Sequence, residues 1–189
     1  MRVCVTDEQI AEAIEAVAGD PCFRESVEAV LAGGRPGEML QALSLRPEIL
    51  DGFSCLSEGL YPGGIVERDL KELVILESSR RNACQFCSGV HTAIARAMGM
   101  SDDPLELLDR PEAQTERQRL ALEYTRAAIE DSNRVPDELF ERLREAFTDA
   151  EIVEITFLIG NIVCLNMFNN CLRITYYGEY DRAGKEEQR

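Results

Sequence analysis

Residues 82–99 read NACQFCSGVHTAIARAMG, placing Cys84, Cys87 and His91 within eight residues and ending on Gly99. His91 is the only histidine in the chain. Helical side chains three, four and seven positions apart share a face, so the C-x-x-C-x-x-x-H spacing on a helix gathers two thiols and an imidazole on one side. Thiols at i and i+3 sit roughly 5 Å apart at Cβ, close enough for a reversible disulfide. His91, four residues beyond Cys87, can take its proton or stabilise its thiolate. Three readings of the run compete. Structural zinc wants four ligands where this run offers three. Two core cysteines beside a satisfied core histidine would need no chemistry. A redox pair needs a thiolate, and a thiol with a pKa near 8.5 has to be helped to ionise.

The sequence around the run offers that help in several places. His91, the positive end of a helix starting near Asn82, and the adjacent arginines Arg80 and Arg81 could each favour a thiolate. The arginines could equally complement the C-terminal dipole of the preceding helix. That helix carries Glu72 and Glu77 at the two ends of the apolar run 73–76. Burial would raise either carboxyl towards neutrality and suit it to a proton relay, whereas an outward turn would leave it on a solvated rim.

Working outward, helical periodicity dominates. Thr6 and Gln9, Thr115 and Gln118, and Thr148 and Glu151 each have capping-box spacing ahead of an apolar stripe. Further helices are expected over 21–32, across LRPEILDGFSCLSEGL up to Pro62-Gly63-Gly64, over 66–79, through the cysteines to Met98, from Pro136, and over 152–176. No segment sustains period-two alternation. The expected fold is all-α, an antiparallel helical bundle with short loops. Residues 1–44 are expected to form an N-terminal helical arm, 45–180 the main helical domain and 181–189 a polar tail.

With 189 residues, 45% hydrophobic and 29% charged, the composition is that of a globular chain rather than a disordered one. A formal net charge of −15 with no Lys/Arg cluster argues against nucleic acid and against an anionic membrane surface. The first twenty residues turn acidic and lack a signal-peptide core, and the apolar run 155–165 reads as too short and polar to span a bilayer, so a cytoplasmic location is expected. An odd count of seven cysteines at scattered spacings argues against a disulfide scaffold. Cys4, Cys22, Cys55, Cys164 and Cys171 are read as core or incidental thiols. Asn166 and Asn169, inside the apolar last helix, must find partners, lining a pocket or crossing a subunit interface.

Taken together, LRPEIL, Glu72 twelve residues before Cys84, and the run through His91 resemble the alkylhydroperoxidase D-like branch of the carboxymuconolactone decarboxylase superfamily. The likeness extends over residues 45–177. It implies an all-helical subunit in trimers or hexamers that reduces a small hydroperoxide, needs no cofactor or metal, and is reset by a dithiol or disulfide-reductase electron donor. It also implies Cys87 as the peroxidatic thiol, Cys84 as the resolving thiol, and His91 and Glu72 as a proton relay. One departure is Gln85-Phe86, where members often place a histidine between the cysteines. Two other functions compatible with the residues are a zinc-binding or redox-sensing module without catalysis, and a cofactor-free lyase or decarboxylase of the same superfamily.

Overall fold

The computed structural model describes residues 1–19, 27–28 and 33–178. Cys22, most of the helix expected over 21–32 and the tail 181–189 lie outside the described residues. Those residues contain nine α-helices and no strand: α1 (Asp7–Ala16), α2 (Glu38–Leu43), α3 (Pro47–Leu60), α4 (Arg68–Arg81), α5 (Gln85–Ala97), α6 (Pro104–Leu107), α7 (Glu116–Asp131), α8 (Asp137–Ala146) and α9 (Asp149–Leu172). The all-α expectation holds.

The helices start where side chains can satisfy orphan amides. Thr6 and Thr115 form reciprocal capping boxes with Gln9 and Gln118. At the head of α9, Glu151 receives the backbone N–H of Thr148 at 2.7 Å while Thr148 Oγ1 accepts from the Glu151 amide at 3.3 Å.

The chain divides into two compact units. One comprises Met1–Gly64 with Asn169–Tyr177, where α1 and α2 pack on α3. The other is built on Ile65–Phe168. Its central element is α4, which packs against α5 and α7, while α8 packs on α7. Leu73 and Leu76 of α4 meet Ala95, Leu108 and Leu122 in a core cluster. Burying each leucine contributes roughly 1.5–3 kcal/mol.

A helix buried on every side is usually apolar throughout. In α4 the run from Leu70 to Ser79 is buried, yet it includes Lys71, Glu72 and Glu77 at 0–1% exposure. Each is paired, as a buried charge must be. Lys71 Nζ lies 2.5 Å from Glu154 Oε1 of α9, and Glu154 also accepts the backbone amides of Ile65 and Val66. Glu72 and Glu77 take partners on opposite sides of the functional question, as described below.

Among the described residues one helix, α9, is long and apolar enough to cross a bilayer by length and composition. It is longer than the apolar run read from the sequence because its asparagines stay inside the helix. Four of the cysteines taken as core or incidental thiols, Cys4, Cys55, Cys164 and Cys171, are exposed rather than core.

Candidate active site

The cysteine run does not continue from α4 as one helix. Three residues, 82–84, separate α4 from α5, and they form a Schellman turn: the Cys84 amide donates to Ser79 O at 2.9 Å and the Ala83 amide to Arg80 O at 3.1 Å. The residue this motif puts in the left-handed region is Ala83, with φ +50°. Position 83 is where glycine is ordinarily found, because an L side chain there crowds the backbone.

This turn makes Cys84 serve two helices. It closes the α4 turn with its amide and is the N-cap of α5, its Sγ accepting from the Cys87 N–H at 3.5 Å. The positive end of the helix therefore falls on Cys84, two residues later than the start expected at Asn82, and it favours the anionic form of a sulfur placed there. Cys87 and His91 follow on the first two turns of α5, four residues apart and on one face. Cys84 and Cys87 are both buried thiols rather than a disulfide.

His91 Nδ1 lies 2.8 Å from Glu72 Oε2, across the α4–α5 packing. The second carboxylate oxygen of Glu72 accepts from Arg68 Nε at 2.9 Å. Glu72 is fully buried and His91 is 9% exposed. A carboxylate on Nδ1 fixes the orientation and tautomer of the imidazole ring. Arg68 was not singled out from sequence, although it stands four residues before Glu72, the spacing at which a helical ion pair forms.

Glu77 takes a different role from the relay considered for it. Its Oε2 accepts from Arg80 at 2.5 Å and its Oε1 from Arg81 and Arg126, each at 2.9 Å. Burial pushes its carboxyl up, but the hydrogen bonds from Arg126 and Arg81 and the charges of Arg126 and Arg80 outweigh it and hold the group below its ordinary value. Glu77 is a fixed anion rather than a proton carrier. Arg80 and Arg81 are committed to it, and Arg80 also to Asp109 at 2.7 Å; both stand in the last turn of α4, where their charge complements its C-terminal dipole as one of the two readings from the sequence has it.

Asn166 is wholly buried within the chain's own fold. Its amide lies 3.1 Å from Asn82 Nδ2 and 3.2 Å from Ser79 Oγ, bracing the turn that presents Cys84. Asn169, buried in the first unit, has Nδ2 3.7 Å from Met39 Sδ. Among the described residues no group of three or more His, Cys, Asp or Glu side chains is arranged to hold a metal ion.

The model of the carboxymuconolactone decarboxylase family matches residues 47–127, which include α3, α4 and the whole Cys-Cys-His run. Over 101 residues the chain is 31% identical to the uncharacterized protein YdfG of Bacillus subtilis, a match covering 51% of this chain and 69% of that one. The chain belongs to the carboxymuconolactone decarboxylase family. Within that family its fold is that of the alkylhydroperoxidase D-like branch. An uncharacterized peroxidase-related protein from Silicibacter sp. TM1040 superposes with a TM-score of 0.77 at 18% identity, covering 95% of this chain and 93% of that one. ATU0492 from Agrobacterium tumefaciens, a protein of unknown function provisionally named an antioxidant defence protein AhpD, is 29% identical with a TM-score of 0.64, covering 71% of this chain and 94% of that one. The debrominase Bmp8 is also similar in fold, with a TM-score of 0.71 at 16% identity over the whole of this chain and 97% of its own. The fold is thus shared by a debrominase and by peroxidase-related proteins.

Proposed function

We propose that this protein is a thiol-dependent hydroperoxide reductase that cycles through a Cys84–Cys87 disulfide. The observation that carries the reading is the chain of contacts Arg68–Glu72–His91, with the imidazole on the same face of α5 as Cys87 and the Cys84 sulfur on the Cys87 amide. The Cys87 thiolate attacks the distal oxygen of ROOH, the O–O bond breaks, and the sulfur becomes a sulfenic acid as ROH leaves with a proton from the relay. The Cys84 thiolate then attacks the Cys87 sulfur and displaces the hydroxyl, which leaves as water with a proton from the relay, closing the disulfide. Resolution needs Cys84 as an anion, and an N-cap position favours that form.

A dithiol or a disulfide reductase resets the pair by exchange, itself becoming a disulfide. No cofactor takes part. The protein works in the cytoplasm as a homo-oligomer, a trimer or hexamer, and its surplus negative charge keeps it from nucleic acid and anionic membrane. The zinc alternative would require a further ligand beside Cys84, Cys87 and His91. The lyase alternative would leave activity intact without either motif cysteine.

Reduced protein is mixed with cumene hydroperoxide, and the products are mapped by mass spectrometry. A Cys84–Cys87 disulfide in the wild type, and a sulfenic acid on Cys87 in Cys84→Ser, are expected. A Cys87→Ser variant that consumes peroxide as fast as the wild type removes Cys87 from its role.

A further inference from the structure

Between the end of α4 and the middle of α7 the second unit carries a cleft of about 590 Å³ lined by Arg80, Arg81, Arg119 and Arg126, with Leu108 and Pro111 among its walls. Its size is that of a small-molecule site. None of Glu72, Cys84, Cys87 or His91 lines it.

The charges at the cleft do not cancel. Glu77, 1% exposed, anchors Arg80, Arg81 and Arg126, and Asp109 takes a second bond from Arg80. Glu123 also lines the cleft, but both its oxygens are held by Arg142 at 2.9 and 2.8 Å, which neutralises it from outside. Four guanidinium groups therefore face two carboxylates, leaving two positive charges in excess. Arg119 is exposed and makes no ion pair among the described residues, and Arg81 uses only Nε on Glu77. The gathering runs against the composition, which has 35 acidic residues to 20 basic ones. The distant negative charge matters little here, because at physiological salt exposed charges are screened beyond about 8 Å.

We propose that this cleft binds a phosphate-bearing small molecule, with Arg81 and Arg119 as its principal donors and Glu77 holding Arg80 and Arg126 in place. A phosphate group carries about −1.5 to −2 at neutral pH, which matches the surplus. Guanidinium forks bind oxyanions through paired N–H bonds, and the three acceptor oxygens of a phosphate can serve forks arriving from two helices where a carboxylate offers only two. Leu108 and Pro111 give an apolar body something to rest on.

The test is calorimetric titration of the intact protein with inorganic pyrophosphate at physiological salt, with citrate run in parallel. The expected result is a dissociation constant on the order of 10–100 μM, weakened about tenfold by Arg119→Gln and by Arg81→Gln, each worth roughly one good charged hydrogen bond. Arg119 stands outside the Glu77 network, so its variant keeps the fold, which thermal melting checks. Arg134→Gln, at an exposed arginine that does not line the cleft and pairs with Asp131, leaves binding unchanged. No heat at about 10 mM pyrophosphate, an equal loss in Arg134→Gln, or citrate binding as tightly as pyrophosphate would each overturn the proposal.

Discussion

His91 Nδ1 and Glu72 Oε2 are 2.8 Å apart although nineteen residues separate them, and the carboxylate that joins the imidazole to α4 is itself held by Arg68. Glu72 thus has its counter-charge and its imidazole partner on different oxygens. Replacing it by glutamine keeps the shape and removes the charge, so the ring loses its orienting anion. We expect Glu72→Gln to slow peroxide consumption by about 10²-fold, the lower end for general acid–base assistance, with the disulfide still forming at long times. An unchanged rate would exclude Glu72 from the relay.

Arg68 acts through Glu72 and is a positioning residue. Arg68→Ala should reduce the peroxide rate about tenfold, a partial form of the Glu72→Gln effect, because the carboxylate remains. Arg68→Lys restores a cation at the site and should recover most of the rate. The double variant Arg68→Ala/Glu72→Gln should be no slower than Glu72→Gln alone, since both changes act on one imidazole. Losses that multiply would show that Arg68 acts independently.

Ala83 occupies the left-handed position of the turn that separates the two halves of the site, with φ +50°. Glycine reaches that region without a Cβ penalty. Ala83→Gly is therefore expected to stabilise the protein by about 0.5–1 kcal/mol, read as a higher urea midpoint at unchanged slope, in spite of the extra chain freedom glycine gains on unfolding. Ala83→Val should lower the midpoint. A glycine variant less stable than the wild type would mean that the turn carries no strain worth relieving.

The same turn explains what the sequence concealed. Gly99 ends α5 in a Schellman turn, with φ +73° and the Met100 amide on Ala95 O, and its glycine marks the stop in the sequence. Ala83 ends α4 and Arg173 ends α9 by the same geometry without a glycine, at φ +50° and +53°. So α5 reads from the sequence as starting near Asn82, two residues before its N-cap at Cys84, and α9 reads four residues too long. The helix starts were legible because a capping box needs only two residues at fixed spacing, and all three formed. The His91–Glu72 pair was suggested by family resemblance and by their local faces, since no local rule links residues nineteen apart. The sequence leaves Glu77 open between a relay and a solvated rim, and its actual role as a buried anion is not legible there because Arg126, which joins Arg80 and Arg81 on it, comes from 49 residues away.

Asn166 braces the Cys84 turn from α9. Asn166→Ala leaves the buried polar groups around it under-satisfied and should cost about 1–3 kcal/mol. It should also slow disulfide closure more than the first peroxide attack, because the contacts it loses hold Cys84 and not Cys87. Stopped-flow traces separate the two phases. Equal slowing of both would show that Asn166 supports the subunit generally.

Glu77 and Glu151 are two of the carboxylates that set the acid limit of stability, with Glu67, Asp109 and Glu154 also held low by cationic partners. Glu77 is held below its ordinary value by its arginines despite burial, and Glu151 is lowered from 4.5 to about 2 by the Thr148 amide and Arg117. A carboxyl whose folded pKa is depressed contributes stability that is complete above its unfolded value and lost as pH falls through the folded value. The urea midpoint should therefore be level above about pH 5 and decline continuously from there towards about pH 2. Glu77→Gln removes one anion from beneath three arginines. It should lower stability at neutral pH by about 3 kcal/mol, the lower end for breaking a buried ion pair, because each guanidinium retains contact with water. The variant should also lose part of the acid slope, since one of the titrating groups is gone. A wild-type midpoint that stays flat from about pH 5 to pH 3, or a Glu77→Gln protein with undiminished slope, would show that the arginines around Glu77 contribute no net stabilisation of its charge.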